Sequence, residues 1–220
     1  MAYQGGNHWK EQGVLLGLIG FMGVVFLGQE VFGPSWYWRF MMVPAEFVDA
    51  WENALVGDVD WASFIPVMSC ALLHGGIDHW MFNMLFLWIF GGLAMKLLGS
   101  KWMIMSFLFT AVCGTLLHVV LNSESEVPML GASGAVLGFE GLYLAMAVRW
   151  RLPDPDIWPM SHPISPAQLA AVGIMGLVTD YMGFLGGTMG VAYSAHLGGF
   201  LGGLFLGGCV VPMPGVARER

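Results

Sequence analysis

Charged side chains are scarce in this chain: Asp, Glu, Lys and Arg make up only 10% of its 220 residues. Soluble domains carry about 25% charged residues, so the composition excludes an ordinary soluble domain. Hydrophobic residues make up 57% of the chain, and the mean hydropathy is +0.70. These values predict one compact polytopic domain that is embedded in a lipid bilayer.

Basic residues and cysteines are also few. The chain has 8 Lys and Arg against 15 Asp and Glu, and its net charge is −7. Without a basic patch to meet phosphates, nucleic-acid binding is excluded. The three cysteines, Cys70, Cys113 and Cys209, stand at unrelated spacings among apolar residues. They are therefore predicted to be buried thiols, with no disulfide framework, metal site or cofactor.

Long apolar runs are plentiful. They predict six membrane spans, at residues 13–31, 80–95, 102–121, 133–148, 167–182 and 194–211. The fold class expected is all-α, with a short cytoplasmic N-terminus at 1–12, one six-span domain at 13–211 and a cytoplasmic tail at 212–220. The first apolar run has no small-residue cleavage site, so it is predicted to be a retained span.

The apolar segment 61–77 has no charged side chain and resembles an additional span. Lys and Arg collect on the cytoplasmic side of membrane proteins, and with six spans only Arg39 falls outside. A span at 61–77 would also move Lys96 and Lys101 outside. The segment is therefore interpreted as a re-entrant or interfacial part of a long first loop, buried in protein or facing a water-filled cavity.

Glycines recur at helical spacing in two of the predicted spans. Gly134 and Gly138 share a face of the fourth span, and Gly199 and Gly203 share a face of the sixth. Such faces allow two helix backbones to approach closely. If the two faces meet, the residues at the heads of these spans are also brought together.

Polar side chains stand at the heads of three spans. Ser133 begins the fourth, His196 lies near the start of the sixth, and His79 precedes the second. At about 1.5 Å per helical residue, each of them lies about 24–25 Å from the cytoplasmic end of its span. Asn83 shares a helical face with His79, one turn deeper. The sequence thus predicts one polar layer beneath the outer membrane surface.

This layer contains the parts that acyl transfer requires. His196 is predicted to act as the base that activates Ser133. His79, Asn83 and the backbone N–H of Ser133 are predicted to stabilise an oxyanion. A metal site at the two histidines is the competing interpretation, and it ranks lower because suitable carboxylate or cysteine ligands are missing at this depth.

Three motifs resemble those of the rhomboid family of intramembrane serine proteases. They read His74-Gly-Gly-Ile-Asp-His79-Trp-Met-Phe-Asn83, Gly131-Ala-Ser133-Gly134 and Ala195-His196-Leu-Gly-Gly199. The resemblance covers about residues 13–211. It implies a six-span rhomboid-like bundle with a partly membrane-embedded first loop.

The resemblance also implies a function. The substrates would be transmembrane proteins, cleaved in or near their membrane helices by a Ser133–His196 dyad near the outer face, with His79 and Asn83 as oxyanion donors. His74, Gly131, Gly134 and Gly199 would support the site. The expected location is a prokaryotic plasma membrane, with both termini cytoplasmic. The alternatives are a catalytically silent relative that only grips membrane helices and a transporter that uses the polar layer.

The chain departs from the family pattern at three places. A Trp-Arg pair that many members carry shortly before the histidine motif is absent there, and the pair Trp38-Arg39 lies far upstream. The tyrosine often found one turn after the serine is Leu137, and Tyr193 is a candidate to replace its contact with His196. Glu140, two turns after Ser133, is interpreted as a protonated or hydrogen-bonded core acid, with control of hydration below the site as the alternative.

Overall fold

The computed structural model describes residues 12–154, 164–186 and 190–219, without the side chains of residues 180 and 184. Its α-helices are α1 (Gly13–Phe32), α2 (Pro34–Tyr37), α3 (Pro44–Leu55), α4 (Pro66–Ser69), α5 (Ile77–Phe86), α6 (Gly92–Leu98), α7 (Ser100–Leu121), α8 (Ser133–Arg149), α9 (Pro166–Leu185) and α10 (Tyr193–Phe205). Short 3-10 turns lie at Trp38–Phe40, Trp61–Phe64 and Cys70–Leu72. Two-residue strands, β1 (Trp150–Arg151) and β2 (Arg218–Glu219), pair antiparallel. Most of the predicted N-terminal segment 1–12, most of the loop 152–166 and the Asp180 side chain lie outside the described residues.

Four helical segments are long and apolar enough to cross a membrane: Gly13–Phe32, Ile77–Leu98, Ser100–Leu121 and Tyr193–Val210. Two of them contain π-helical turns, at Leu87–Gly91 between α5 and α6 and at Leu206–Val210 after α10. The chain is therefore an integral membrane protein. Helices α8 and α9, with 17 and 20 residues, occupy the fourth and fifth predicted spans. The count of six spans stays a prediction.

The segment from Trp61 to Leu72 forms one short apolar helical stretch. At about 1.5 Å per residue it extends about 18 Å, whereas the hydrocarbon core of a bilayer is about 30 Å thick. This stretch is too short to cross the membrane, which agrees with its interpretation as part of the first loop.

Helix α8 is the most deeply buried element, and it packs between α7 and α10. The two glycine faces found in the sequence meet there. A Cβ built on Gly199 would overlap the carbonyl of Gly134, and one on Gly203 would overlap the carbonyl of Gly138. The α8 and α10 backbones are therefore in direct contact, and the starts of the two helices lie side by side.

The first loop is tied to the rest of the protein by backbone hydrogen bonds. Met42 and Met129 form an isolated antiparallel bridge, with N–H to O distances of 2.9 and 2.7 Å. The N–H of Gly131 donates to the carbonyl of Cys70 at 2.9 Å. The segment just before Ser133 is thus held on one side by the first loop.

One prediction about the cysteines was wrong. Cys70 is buried, but Cys113 is only partly buried and Cys209 is exposed. An apolar neighbourhood in the sequence does not distinguish the inner face of a membrane helix from the face that meets lipid, because both are apolar. Cys209 lies in the π turn after α10, on its outward side.

Candidate active site

Ser133 and His196 are brought together by the contact of α8 and α10. The Oγ of Ser133 and the Nε2 of His196 lie 2.7 Å apart, within hydrogen-bonding distance. Ser133 is the first residue of α8, and His196 lies in the first turn of α10. A hydroxyl and an imidazole nitrogen at this distance are placed for the proton transfer that a serine nucleophile requires.

Gly131 shapes the approach to the serine. Its φ is +134°, a conformation that residues with side chains rarely adopt. A Cβ here would also lie 2.7 Å from Cε1 of His79 and 3.5 Å from Oγ of Ser133. A glycine at this position thus leaves open the space between the histidine ring and the hydroxyl, where a substrate carbonyl would have to fit.

The hydrogen bonding of His79 defines its tautomer. The backbone N–H of Gly75 donates to Nδ1 of His79 at 3.2 Å. A neutral imidazole that accepts at one nitrogen carries its proton on the other, so Nε2 is the donor. Nε2 lies on the side of Gly131, 3.0 Å from where a Cβ of that residue would be. The ring therefore offers an N–H to the space beside Ser133.

Asn83 offers a second donor. Its side chain is only 5% exposed, and its Nδ2 has no hydrogen-bond partner among the described residues. Burying an unpaired amide costs free energy unless a partner arrives. Ser133, as the first residue of α8, also has a backbone N–H without an intrahelical acceptor.

These groups face one cavity of about 1080 Å³. Ser133, His196, His79 and Asn83 all line it, together with Glu140. Much of the remaining wall is formed by apolar side chains of α5, α8 and α9. The predicted polar layer is thus gathered around one chamber that is large enough to admit a segment of peptide.

His74 supports the loop that leads into α5. It is 2% exposed, and its ring meets that of His79 edge-on, with the centroids 5.4 Å apart. Burial, helped by the neighbouring His79, lowers the pKa of His74 to about 3. Gln29 of α1 fixes its backbone: the Gln29 amide donates to the His74 carbonyl at 3.0 Å and accepts from the His74 N–H at 2.9 Å.

The structure also places the residues at which the chain departs from the family pattern. Leu137 lines the cavity, and the ring of Tyr193 meets that of His196 edge-on at 6.3 Å. Glu140 is 4% exposed, at the α9 side of the cavity. His118 pairs with Ser194, with Nδ1 and Oγ 2.8 Å apart.

Two supporting residues, Gln29 and Gly75, were not identified as site residues from the sequence. Gln29 is one of two polar residues, with Glu30, in an otherwise apolar run, and this was the signal available in the sequence. Gly75 acts through its backbone, which no side-chain pattern reveals. Among the described residues, no group of three or more His, Cys, Asp or Glu side chains is placed to hold a metal ion.

Comparison with known proteins gives a consistent family match. A family model described as Rhomboid domain matches residues 61–213. The chain is 27% identical over 170 residues to Rhomboid protease GluP of Bacillus subtilis (strain 168), covering 77% of this chain and 30% of that protein. It is 31% identical over 141 residues to RHOMBOID-like protein 5 of Arabidopsis thaliana, covering 64% and 42%.

A third relative is Rhomboid protease GlpG of Pectobacterium atrosepticum, which is 30% identical over 138 residues, covering 63% of this chain and 45% of that protein. The chain thus spans less than half the length of these three relatives.

Proposed function

The chain belongs to the rhomboid family, and from that membership we propose that it is an intramembrane serine endopeptidase that cleaves transmembrane segments of membrane proteins by a Ser133–His196 dyad. The observation that carries this proposal is the 2.7 Å separation of Ser133 Oγ and His196 Nε2 at the wall of a large cavity. The names of two relatives, Rhomboid protease GluP and Rhomboid protease GlpG, support it.

In the first step, Ser133 Oγ attacks the carbonyl carbon of the scissile peptide bond, and its proton passes to Nε2 of His196. The carbonyl oxygen becomes an oxyanion. The Nε2–H of His79, the amide of Asn83 and the backbone N–H of Ser133 donate to it. When the tetrahedral intermediate collapses, the C–N bond breaks and His196 returns the proton to the leaving amine.

In the second step, water attacks the acyl-enzyme. His196 takes a proton from the water, the ester bond to Ser133 breaks, and His196 passes that proton to Ser133 Oγ. A peptide bond inside a helix is shielded by its own hydrogen bonds, so the substrate has to unwind locally before either step. The apolar cavity wall replaces lipid around the unwound segment, while the polar groups satisfy its exposed backbone.

The proposal includes an orientation. The active site opens toward the outer side of a prokaryotic plasma membrane, and both termini are cytoplasmic. The distribution of Lys and Arg along the chain supports this. With Cys70, Cys113 and Cys209 replaced by alanine, a membrane-impermeant thiol reagent should label Ser125→Cys in intact cells, and should reach Arg218→Cys only after the cells are opened. Labelling in the reverse order would contradict the orientation.

The dyad is tested by labelling with a fluorescent fluorophosphonate and by cleavage of a model transmembrane substrate, both in detergent. Ser133→Ala should abolish labelling and cleavage, and His196→Ala should reduce both to background. Ser194→Ala is the matched control, because Ser194 also pairs with a histidine, His118, at 2.8 Å. It should keep its labelling. Cleavage by folded Ser133→Ala protein would refute the proposed function.

A further inference from the structure

Glu140 is an acidic side chain on the wall of the cavity, and the catalytic steps do not use it. It is 4% exposed and lines the same cavity as Ser133 and His196. It lies seven positions after Ser133 on α8, which is close to two full turns. The two side chains therefore share one face of the helix, with their Cα atoms about 10 Å apart along the axis.

The carboxyl group of Glu140 lies against a part of α9 that has no side chains. A Cβ built on Gly173 would lie 3.2 Å from Oε2 of Glu140, and one on Gly176 would lie 3.6 Å from it. Between Glu140 and Ser133 on the α8 face lie Val136 and Leu137, which also line the cavity. The chamber thus runs from a nucleophile, past apolar walls, to a carboxyl group.

The dimensions of this chamber match a long side chain of the substrate. The Cα of the residue on the amino side of the scissile bond is one bond from the carbon that Ser133 attacks. Five single bonds of about 1.5 Å let an extended lysine side chain reach about 6 Å from its Cα. The Glu140 side chain extends about 3–4 Å from its own Cα by the same bond lengths. Joined by a charge-assisted hydrogen bond of about 2.8 Å, the two side chains span about 12 Å. This length covers the distance of about 10 Å along α8 and leaves room for the sideways offset of the substrate Cα from the Cα of Ser133.

We propose that Glu140 determines which substrates are cleaved, by selecting lysine or arginine as the residue on the amino side of the scissile bond. The proposal rests on the proposed protease function and specifies its substrate class. Lysine and arginine bury an aliphatic stem along apolar surface and present a charged head, which fits the apolar wall and its acidic end. A cation bonded to a carboxylate forms the stronger, charge-assisted kind of hydrogen bond.

The wild-type protein tests the proposal first, so the test does not depend on how a variant folds. A model transmembrane substrate with one cleavage site is prepared with Lys, Arg, Met, Ala or Glu before the scissile bond. Methionine is the matched comparison for lysine, since it is unbranched and uncharged. Lys and Arg should exceed Met at least about tenfold in kcat/KM, the size expected for one hydrogen bond to a charged group. Glu should be cleaved slowest, because two carboxyl groups repel each other.

Two further measurements separate recognition from a structural role. In Glu140→Gln, which preserves the shape of the side chain, the Lys-to-Met ratio should fall about tenfold, whatever the absolute rates. The same substitutions placed after the scissile bond should show no preference for Lys. An unchanged ratio in Glu140→Gln, an equal loss on every substrate, or a Lys preference only after the scissile bond would each overturn the assignment.

The outcome also distinguishes this proposal from the proposed function. Cleavage that depends on Ser133 but is fastest with Met or Ala would leave the protease function in place and refute the role of Glu140. Absence of Ser133-dependent cleavage on the whole substrate series would refute both.

Discussion

The backbone N–H of Gly75 donates to Nδ1 of His79, and this single hydrogen bond, 3.2 Å long, decides which end of the ring can donate. A histidine that accepts at Nδ1 presents its N–H at Nε2, on the side where Gly131 leaves room beside Ser133. His79, in the first of the three motifs, thereby offers a hydrogen-bond donor beside Ser133, which lies 54 positions later in the chain.

The first prediction concerns the two oxyanion donors. His79→Ala and Asn83→Ala should each lower kcat by about 10²–10³ and change KM little, because the donors bind the oxygen mainly when it becomes charged. Steady-state cleavage of a transmembrane substrate in detergent measures this.

His118→Ala is the control for this prediction. His118 is also a partly buried histidine, but it pairs with Ser194. It should retain most of its kcat. A rise in KM at constant kcat in the His79 and Asn83 variants would contradict their role as transition-state donors.

The second prediction concerns the contact between α8 and α10. Gly199→Ala introduces a methyl group where the carbonyl of Gly134 lies. The helices must separate, and this should cost about 1–3 kcal/mol in the free energy of unfolding and lower kcat/KM at least tenfold, because Ser133 and His196 move apart. Thermal unfolding in detergent and cleavage assays measure the two effects.

Gly20→Ala is the matched control. Nothing lies within 4 Å of the position that its Cβ would take. Since alanine favours a helix over glycine by about 1 kcal/mol, the control should be as stable as the wild type or more stable. If Gly199→Ala matched the control in both assays, the close approach of the two backbones would not be needed for the site.

Much of this arrangement could be anticipated from the sequence. Depth along a helix follows from residue counts, so the common layer of Ser133, His79 and His196 was predictable. The glycine spacing predicted that α8 and α10 can approach closely. Which faces meet is decided by packing of the whole bundle, and therefore the 2.7 Å contact between Ser133 and His196 had to come from the structure.

Contacts made through the backbone were not predictable. Met42 and Met129 join in an antiparallel bridge although 87 positions separate them, and their side chains carry no pairing signal. Gln29 bonds to both backbone groups of His74, 45 residues away. A lone amide in an apolar run indicates only that some polar partner exists, and it does not say which.

The third prediction tests the two hydrogen bonds between the Gln29 side chain and the His74 backbone. Gln29→Met keeps the length of the side chain but leaves the N–H and the carbonyl of His74 without their partner. Each buried backbone group that loses its hydrogen bond costs about 1–3 kcal/mol, so the unfolding midpoint in a denaturing detergent should fall clearly. Glu30→Gln is the control, because Glu30 is the exposed neighbour on α1. Equal stability of Gln29→Met and the control would show that the two bonds contribute little.

The fourth prediction concerns pH. The pKa of His74 is about 3 in the folded protein, lowered by burial from 6.5. Between these values the unfolded chain binds the proton and the folded protein does not, so stability rises with pH by up to about 1.4 kcal/mol per unit. His74 should therefore destabilise the fold progressively as the pH falls below about 6.5.

His74→Phe isolates this contribution. Neither ring nitrogen of His74 meets the geometry of a hydrogen bond to a described residue. Phenylalanine removes the proton site and keeps an aromatic ring against Phe26. Unfolding free energies from pH 7.5 to pH 4.5 should fall less steeply for the variant than for the wild type. Because the other histidines are present in both proteins, the difference between the two curves belongs to His74. Parallel curves would mean that His74 keeps an ordinary affinity for protons, in conflict with its burial beside His79.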